Sequence, residues 1–344
     1  MKKTENRTYL IGGLFFLLLV TLTFFLVFKG AKGAGSLYVA AVFTFPALSM
    51  LAGLLVLFFL FDALRLYFVF RAIGTRVAFL LMLKLVFINI FASGVTPLAT
   101  GGGFAQIYFL TKNGVQAGTA TAATTIRTVI ATIAIFCAVP LVLFLEKGLN
   151  AVVPIKHGFV YSVMLIGIYC IAFSVLLRKE RLVTRLVCSF IRMLEKFHLL
   201  AHEKAESLSI SAGKHIGLFN EHLRMFWRGQ KIYLVFSIVL SLCYLVLLFL
   251  FPYVLIRAMG KDVHIITVLS IQVLITFLIY FTPTPGGSGV AEGGFAIIFS
   301  NFLSSAYVPP LTFYWRFLTM YLGMLIGLAV FYREIWRRDR EASK

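Results

Sequence analysis

The chain has 344 residues, of which 60% are hydrophobic and only 13% are charged. This composition excludes a soluble globular domain, and its apolar runs of about 20 residues match the thickness of a bilayer core. In a soluble protein the net charge of +19 would indicate a nucleic-acid partner. In a membrane protein such a charge places Lys and Arg in cytoplasmic loops beside anionic headgroups, so we expect no nucleic-acid partner.

Hydropathy predicts about eight transmembrane helices. The first apolar run follows a basic start but is too long for the core of a signal peptide, which indicates a retained span. Asp62, Arg65, Arg71 and Arg76 are interpreted as a polar turn after the second span. The spans cover approximately residues 9–28, 39–61, 77–93, 116–144, 158–177, 232–256, 263–281 and 312–332.

Residues 178–231 form the one long polar segment, with apolar residues recurring at helical spacing among basic ones. The pattern predicts about two amphipathic helices at the membrane interface, or a small helical cap on the membrane domain. Most of the 32 Lys and Arg residues fall on one side if the N-terminus is inside. The positive-inside rule then places both termini in the cytoplasm.

Two stretches break the apolar sequence, SGVTPLATGGGFAQ from residue 93 and TPTPGGSGVAE from residue 282. Proline and glycine interrupt helices, and broken backbone at membrane depth is tolerated only against protein or a water-filled cavity. The stretches align as an internal repeat, the alternative being two unrelated helix breaks. In this alignment Thr96, Pro97, Gly101, Gly103 and Gln106 fall on Thr282, Pro283, Gly287, Gly289 and Glu292.

The predicted fold is an all-α polytopic integral membrane protein with two inverted re-entrant helical hairpins. Residues 1–177 form the first membrane repeat, with its re-entrant stretch at 93–112. Residues 178–231 form the basic amphipathic cytoplasmic segment. Residues 232–344 form the second repeat, with a re-entrant stretch at 282–302 and a basic tail. In transporters built from inverted repeats the substrate site lies near the midplane, where the repeats meet.

A glycine-rich turn before a helix offers backbone N–H groups and the positive end of a helix dipole, which suit a phosphate or carboxylate. Glycine also lets the backbone approach a bulky anion closely. The predicted substrate-binding residues are Thr96, Pro97, Gly101, Gly102, Gly103, Gln106, Arg127, Thr282, Pro283, Pro285, Gly286, Gly287, Ser288, Gly289, Glu292 and Arg316.

The charged residues inside the spans, and the polar Gln106, have two interpretations each. Glu292 and Gln106 lie three residues after a glycine, where they could cap a helix; Glu292 could instead face a cavity as a proton carrier or a ligand for a cationic headgroup. Arg127 lies too deep to reach water and pairs either with protein or with substrate phosphate. Arg316 and Lys84 lie nearer to span ends, where a long side chain either reaches the surface or has a functional role in the span.

Motifs for an enzyme are missing. The chain has no phosphate-binding loop of the G-x-x-x-x-G-K-[ST] type, and GGSGVAEGG is not a dinucleotide fingerprint. His198 and His202 are one helical turn apart, but the intervening sequence lacks the glutamate of a zinc protease. We therefore expect no catalytic residue, metal or cofactor.

At PTPGGSGVAEGG and GVTPLATGGGFAQ the chain resembles the flippase-like membrane domain of the lysylphosphatidylglycerol synthase family, and the resemblance extends over the whole chain. In that family the membrane domain moves aminoacylated phosphatidylglycerol between leaflets and a separate soluble domain attaches the amino acid. The motif positions here are Pro283, Pro285, Gly286, Gly287, Gly289 and Glu292.

The resemblance implies a lipid flippase of the bacterial cytoplasmic membrane that moves a phospholipid or a lipid-linked headgroup, such as a polyprenyl-linked sugar. We also expect anionic lipid at the cytoplasmic face and a role in antimicrobial peptide resistance, and the chain could form a homodimer. Because no aminoacyltransferase domain follows the last span, we expect no lipid synthesis. The alternatives are a secondary carrier for a small anionic solute or ion, and a membrane-embedded transferase with Glu292 as base.

Overall fold

The structure, a computed structural model, describes residue 21, residues 44–145, residues 160, 163–164, 166–168 and 171, and residues 180–196 and 202–342. This part of the chain is helical and contains no strand. Its helices are α1 (Phe45–Ala72), α2 (Phe79–Val95), α3 (Gly101–Lys112), α4 (Ala117–Leu145), α5 (Glu180–Lys196), α6 (His202–Arg228), α7 (Lys231–Ala258), α8 (Ile265–Ile279), α9 (Val290–Phe299), α10 (Val308–Arg316) and α11 (Leu322–Ala342).

Four helical stretches are long and apolar enough to cross a membrane: α1, α4, α7 and the continuous run Val308–Trp336, which joins α10 to α11. A helix of 28 residues extends about 42 Å, which exceeds the roughly 30 Å of a bilayer core. The shorter apolar helices α2 and α8 have 17 and 15 residues and end at the two breaks. Most of the predicted span at 9–28 and most of the one at 158–177 lie outside the described residues.

The predicted polar turn at the end of the second span is wrong. Asp62 and Arg65 lie inside α1, which continues to Ala72, and they are only 3% and 5% exposed. The helix continues because Arg65 pairs with Asp62 one turn earlier, so the two charges neutralise each other within the span.

Helices α1–α4 and α7–α11 pack in matching pairs. α1 lies along α7, α1 also packs on α4, and α7 also packs on α10. Across the halves, α2 packs on α11 as α8 packs on α4. Two repeats related by a two-fold axis would be expected to pack in this way, with corresponding elements in contact. The orientation of the repeats relative to the membrane stays a prediction.

Small residues let α11 approach α2 closely. A Cβ at Gly327 would lie 2.1 Å from the carbonyl oxygen of Phe87, and one at Gly94 would lie 2.2 Å from Cε of Met324. Close approach at glycines is a common way for helices to associate in membranes, where water drives no apolar packing. The contact holds the end of α2, and with it the first break, against the second half.

The described residues of the polar segment form two helices, as predicted. α5 packs on α6, and α6 packs on α4 at Gly118, where a Cβ would lie 2.6 Å from Cβ of Leu218. Apolar side chains of α5 such as Leu186 and Phe190 stay exposed, at 62% and 56%. The segment is therefore docked on the membrane helices through α6 and leaves an apolar face on α5.

Candidate functional site

The two broken stretches meet. Each forms a short 3₁₀ turn, the first turn at Pro97–Ala99 and the second turn at Pro285–Gly287, and these turns pack against each other. The second turn also packs on α2, where a Cβ at Gly286 would lie 3.5 Å from the Cα of Gly94. Two interruptions that lie far apart in sequence thus come together inside one helical bundle.

The turns share one backbone conformation. Leu98 has φ 54° and ψ 17°, and Gly286 has φ 59° and ψ 14°. The next residues, Ala99 and Gly287, have φ values of 54° and 69°. Two successive residues in the left-handed region are unusual outside glycine, so the match is specific.

This match corrects the predicted alignment of the repeat. Thr96–Pro97 corresponds to Thr284–Pro285, which opens the second turn in the same extended conformation, and not to Thr282–Pro283. The error arises because the Thr-Pro pair occurs twice in TPTP. In the corrected register Glu292 corresponds to Phe104, and Gln106 to Gly294.

Glu292 caps a helix, which is one of the two interpretations that the sequence left open, and its role as a proton carrier or headgroup ligand stays a prediction. Its Oε2 accepts a hydrogen bond of 2.6 Å from the N–H of Gly289, the residue before α9, as a capping glutamate does. Its Oε1 lies 2.7 Å from Nε of Arg316, and the Tyr321 hydroxyl is 3.5 Å away. Glu292 and Arg316 are only 7% and 6% exposed, so the ion pair is buried.

Arg316 does not reach the surface; it ties three elements together. Besides pairing with Glu292 of α9, it donates from Nη2 to the carbonyl oxygen of Gly286 in the second turn, at 3.0 Å. Directly after it, α10 passes into α11 through a π-helical turn at Phe317–Tyr321. Such turns are rare and occur often at functional sites. The break, the carboxylate and the π turn therefore form one unit around the guanidinium.

Arg127 belongs to a second buried charge cluster. Its Nη1 lies 3.2 Å from Oδ1 of Asp62, and the same oxygen accepts Nη2 of Arg65 at 2.6 Å. The Arg65 guanidinium lies 3.8 Å from the ring centre of Tyr244 on α7. Two cations and one anion thus meet between α1, α4 and α7.

This cluster has spare hydrogen-bond donors. Arg65 Nη1 and Arg127 Nε are buried and have no hydrogen-bond partner among the described residues. Arg65 and Arg127 are 5% and 6% exposed. A buried cation with an unused donor is costly, which makes the cluster a candidate site for an additional anion.

Comparison with known proteins gives the family. The sequence profile described as the lysylphosphatidylglycerol synthase TM region matches residues 9–327. The chain belongs to this family. A relative from Archaeoglobus fulgidus, described as a UPF0104 membrane protein, is 24% identical over 271 residues, which cover 78% of this chain and 81% of the relative. No solved structure matches the chain.

In this member of the lysylphosphatidylglycerol synthase TM family, the glycine turns offer fewer free donors than the sequence indicates. The N–H groups of Ala99, Thr100, Gly287 and Ser288 bond to carbonyl oxygens three residues earlier. The Gly101 N–H bonds to Thr96 Oγ1 at 2.9 Å. The phosphate-binding role of the turns stays a prediction, and the arginines are the stronger candidates.

Several of the predicted hydroxyl and glycine residues shape the turns. The hydroxyls of Thr96 and Thr282 donate to the carbonyl oxygens of Ala92 and Leu278 in their own helices. Gly102 lies against α2, where a Cβ would meet Ser93 Oγ at 2.0 Å. Gly103 has open space where a Cβ would lie, whereas Pro283 and Gly289 are exposed and Ser288 is partly exposed.

Gln106 does not cap a helix, contrary to one of its two interpretations. α3 begins at Gly101, and the fully buried Gln106 donates from Nε2 to the carbonyl oxygen of Leu85 at 3.1 Å. Its Oε1 has no hydrogen-bond partner among the described residues. Gln106 therefore joins α3 to α2 and does not correspond to Glu292.

Sequence reasoning missed the acidic partners. From the sequence, Asp62 is interpreted as part of a polar turn, and Glu334 is not singled out. Glu334 is 5% exposed and pairs with Lys84 at 2.6 Å, linking α11 to α2. The signal for Asp62 was available, because apolar residues continue beyond it to Val69 and Phe70.

Proposed function

We propose that this protein moves lipid headgroups between the leaflets of the bacterial cytoplasmic membrane. The observation that carries the proposal is the meeting of the two turns beside a buried ion pair, Glu292–Arg316, inside an apolar bundle. Ionisable groups at membrane depth are costly and mark substrate or ion pathways. Membership of a family named for a lipid synthase supports lipid as the substrate.

The ion pair suits a headgroup with both charges. A phosphate can replace Glu292 as the partner of Arg316 while an amine pairs with Glu292. Each buried charge then keeps a partner throughout, which avoids the large cost of an unpaired buried ion. This exchange favours an aminoacylated or otherwise amine-bearing phospholipid, and it involves no covalent step.

The second cluster provides a further phosphate contact. Arg65 and Arg127 share one carboxylate and retain unused donors. Arginine binds phosphate through several charge-assisted hydrogen bonds, so the pair can hold an anion that has left the ion pair. We place Arg127 in the path and treat Asp62 as the group that holds it in position.

The proposed orientation follows from charge. Most Lys and Arg residues, including those of α5 and α6, lie on the side we assign to the cytoplasm. With both termini inside, α2 with α3 and α8 with α9 form two re-entrant hairpins that enter from opposite sides. Transport then draws on an ion gradient, the membrane potential or the lipid gradient.

Leaflet exchange in proteoliposomes tests the function. Fluorescent phosphatidylglycerol, its lysyl ester and phosphatidylcholine are reconstituted with the protein, and dithionite reduces the label in the outer leaflet. The wild type should accelerate exchange of the charged lipids above protein-free vesicles. Arg127→Ala and Glu292→Gln should slow it about tenfold or more, equivalent to at least about 1.4 kcal/mol.

Arg257→Ala is the matched control, because Arg257 is an exposed arginine at the far end of α7. Exchange at the protein-free rate for every lipid would overturn the proposal. If the lipids exchange only at the protein-free rate but the vesicles take up phosphate, the small-anion carrier is favoured. The unused hydrogen-bond donors of Arg65 and Arg127 support this alternative.

A further inference from the structure

A cavity of about 450 Å³ lies where α1 ends, α6 ends and α7 begins. Three arginines line it, Arg71, Arg76 and Arg228, and the lining among the described residues includes no acidic side chain. The volume falls within the range of small-ligand sites. This corner cavity is separate from both buried charge clusters.

The fold forces the arginines together. Gly229 sits so close to the end of α1 that a Cβ would lie 2.7 Å from the carbonyl oxygen of Ala72. Gly74, with φ of +77°, turns the chain from α1 towards Arg76. These two glycines therefore bring the end of α1, the α1–α2 loop and the end of α6 to one cavity.

The arginines differ in how firmly they are held. Arg71 donates to the Tyr233 hydroxyl at 3.1 Å and lies 5.2 Å from the centre of that ring. Arg76 and Arg228 are exposed at the rim. Three like charges around one cavity repel one another, and an anion between them removes that cost.

We infer that the corner cavity binds the phosphate group of an anionic ligand at the cytoplasmic surface. Guanidinium groups match phosphate through paired hydrogen bonds, and basic pockets between helices on this side bind anionic headgroups. Arg76 and Thr75 also line a neighbouring cavity of about 640 Å³, whose lining includes Glu221 and His222, and this cavity leaves room for the polar remainder of a headgroup. The site does not depend on leaflet exchange, because binding here requires no movement of lipid.

Binding to the purified full chain in nonionic detergent tests the inference. Short-chain phosphatidylglycerol is titrated, and bound lipid is counted by native mass spectrometry. Arg76→Ala with Arg228→Ala should weaken binding about tenfold, the factor that about 1.4 kcal/mol represents. The matched control, Arg257→Ala, removes an arginine from the other end of α7, about 40 Å away along a 28-residue helix.

Two further arms complete the test. If inorganic phosphate competes with the lipid in the wild type and this competition is lost in the double alanine variant, a soluble phosphate is a ligand. If the variant loses lipid binding and phosphate does not compete, the ligand is a lipid headgroup. The double lysine variant keeps both charges and should retain most of the affinity. Equal binding of both probes by the wild type and the double alanine variant, with melting temperatures unchanged, would overturn the inference.

Discussion

The two turns have the same backbone and different chemistry. In the first turn Leu98 and Ala99 adopt the left-handed conformation at a cost, whereas in the second turn Gly286 and Gly287 adopt it freely. Only the second turn is followed by a buried carboxylate, Glu292. Both turns keep this conformation, so it is a feature of the fold. The buried carboxylate follows the second turn only.

This difference separates structural from functional candidates. In the first copy the position of Glu292 is taken by Phe104, which is 73% exposed and has no charge to pair. The site where the two turns meet therefore has a buried carboxylate on the side of the second turn only. Substitutions at matched positions of the two turns measure how much the backbone conformation and how much the buried charge contribute to the free energy of unfolding.

The largest difference is expected between Glu292→Ala and Phe104→Ala. Removing Glu292 leaves Arg316 buried without its partner and removes the cap of α9, which should cost about 3–5 kcal/mol of the free energy of unfolding. Phe104→Ala should cost less than about 1 kcal/mol, since the ring is exposed. Unfolding in mixed micelles measures both values. Equal losses would show that the ion pair does not stabilise the second copy.

Gly286→Ala tests the conformation itself. At φ 59° an alanine is strained, and its Cβ would lie 1.9 Å from Cε of Met320, so we expect a loss of about 2–3 kcal/mol. Leu98→Ala at the matched position puts the same residue in the same conformation and should change stability by less than about 1 kcal/mol.

Met320→Ala in the Gly286→Ala background should recover part of this loss, because the flexible end of Met320 supplies the clash. No recovery would leave backbone strain as the whole cause. A Gly286→Ala variant as stable as the wild type would mean that the second turn does not hold the left-handed conformation.

Ala99→Gly should move stability in the opposite direction. Relief of the left-handed strain at φ 54° gains about 1–2 kcal/mol, and the greater freedom of glycine in the unfolded chain costs about 0.4–1 kcal/mol. The net expectation is a gain of about 0.5–1 kcal/mol, measured by the same unfolding assay. The matched reverse change, Gly287→Ala, should destabilise, since its Cβ would also lie 2.8 Å from Cγ2 of Ile279. A gain in both variants would contradict the shared conformation.

The bounds of the membrane helices were predictable because the hydropathy of a segment is sufficient to locate a span. α4, α7 and α8 begin and end within two residues of the predicted bounds. The end of α1 was missed because Asp62 and Arg65 were taken as loop charges, although they neutralise each other one turn apart. Local sequence therefore locates the spans, but the end of α1 depends on the pairing of two charges.

The buried charges were predictable one by one but not as pairs. Glu292, Arg316 and Arg127 stand out in apolar sequence as single charges. That Glu292 meets Arg316, and that Arg127 meets Asp62, depends on how α9 packs on α10 and α1 on α4. The alignment of the two stretches was ambiguous for a different reason. Either Thr-Pro pair of TPTP can be aligned with Thr96–Pro97, and only the backbone angles distinguish the two alignments.

The smallest effect is expected at Gln106, which the sequence aligned with Glu292 and which the backbone register separates from it. Gln106→Leu removes one hydrogen bond to Leu85, worth about 1 kcal/mol, and also removes a buried carbonyl oxygen without a partner, whose burial costs about 1–3 kcal/mol. Stability should therefore stay within about 1 kcal/mol of the wild type, and lipid exchange should stay unchanged while Glu292→Gln slows it. If Gln106→Leu slowed exchange as much as Glu292→Gln at unchanged stability, the first copy would also contribute a polar group to the path, contrary to this expectation.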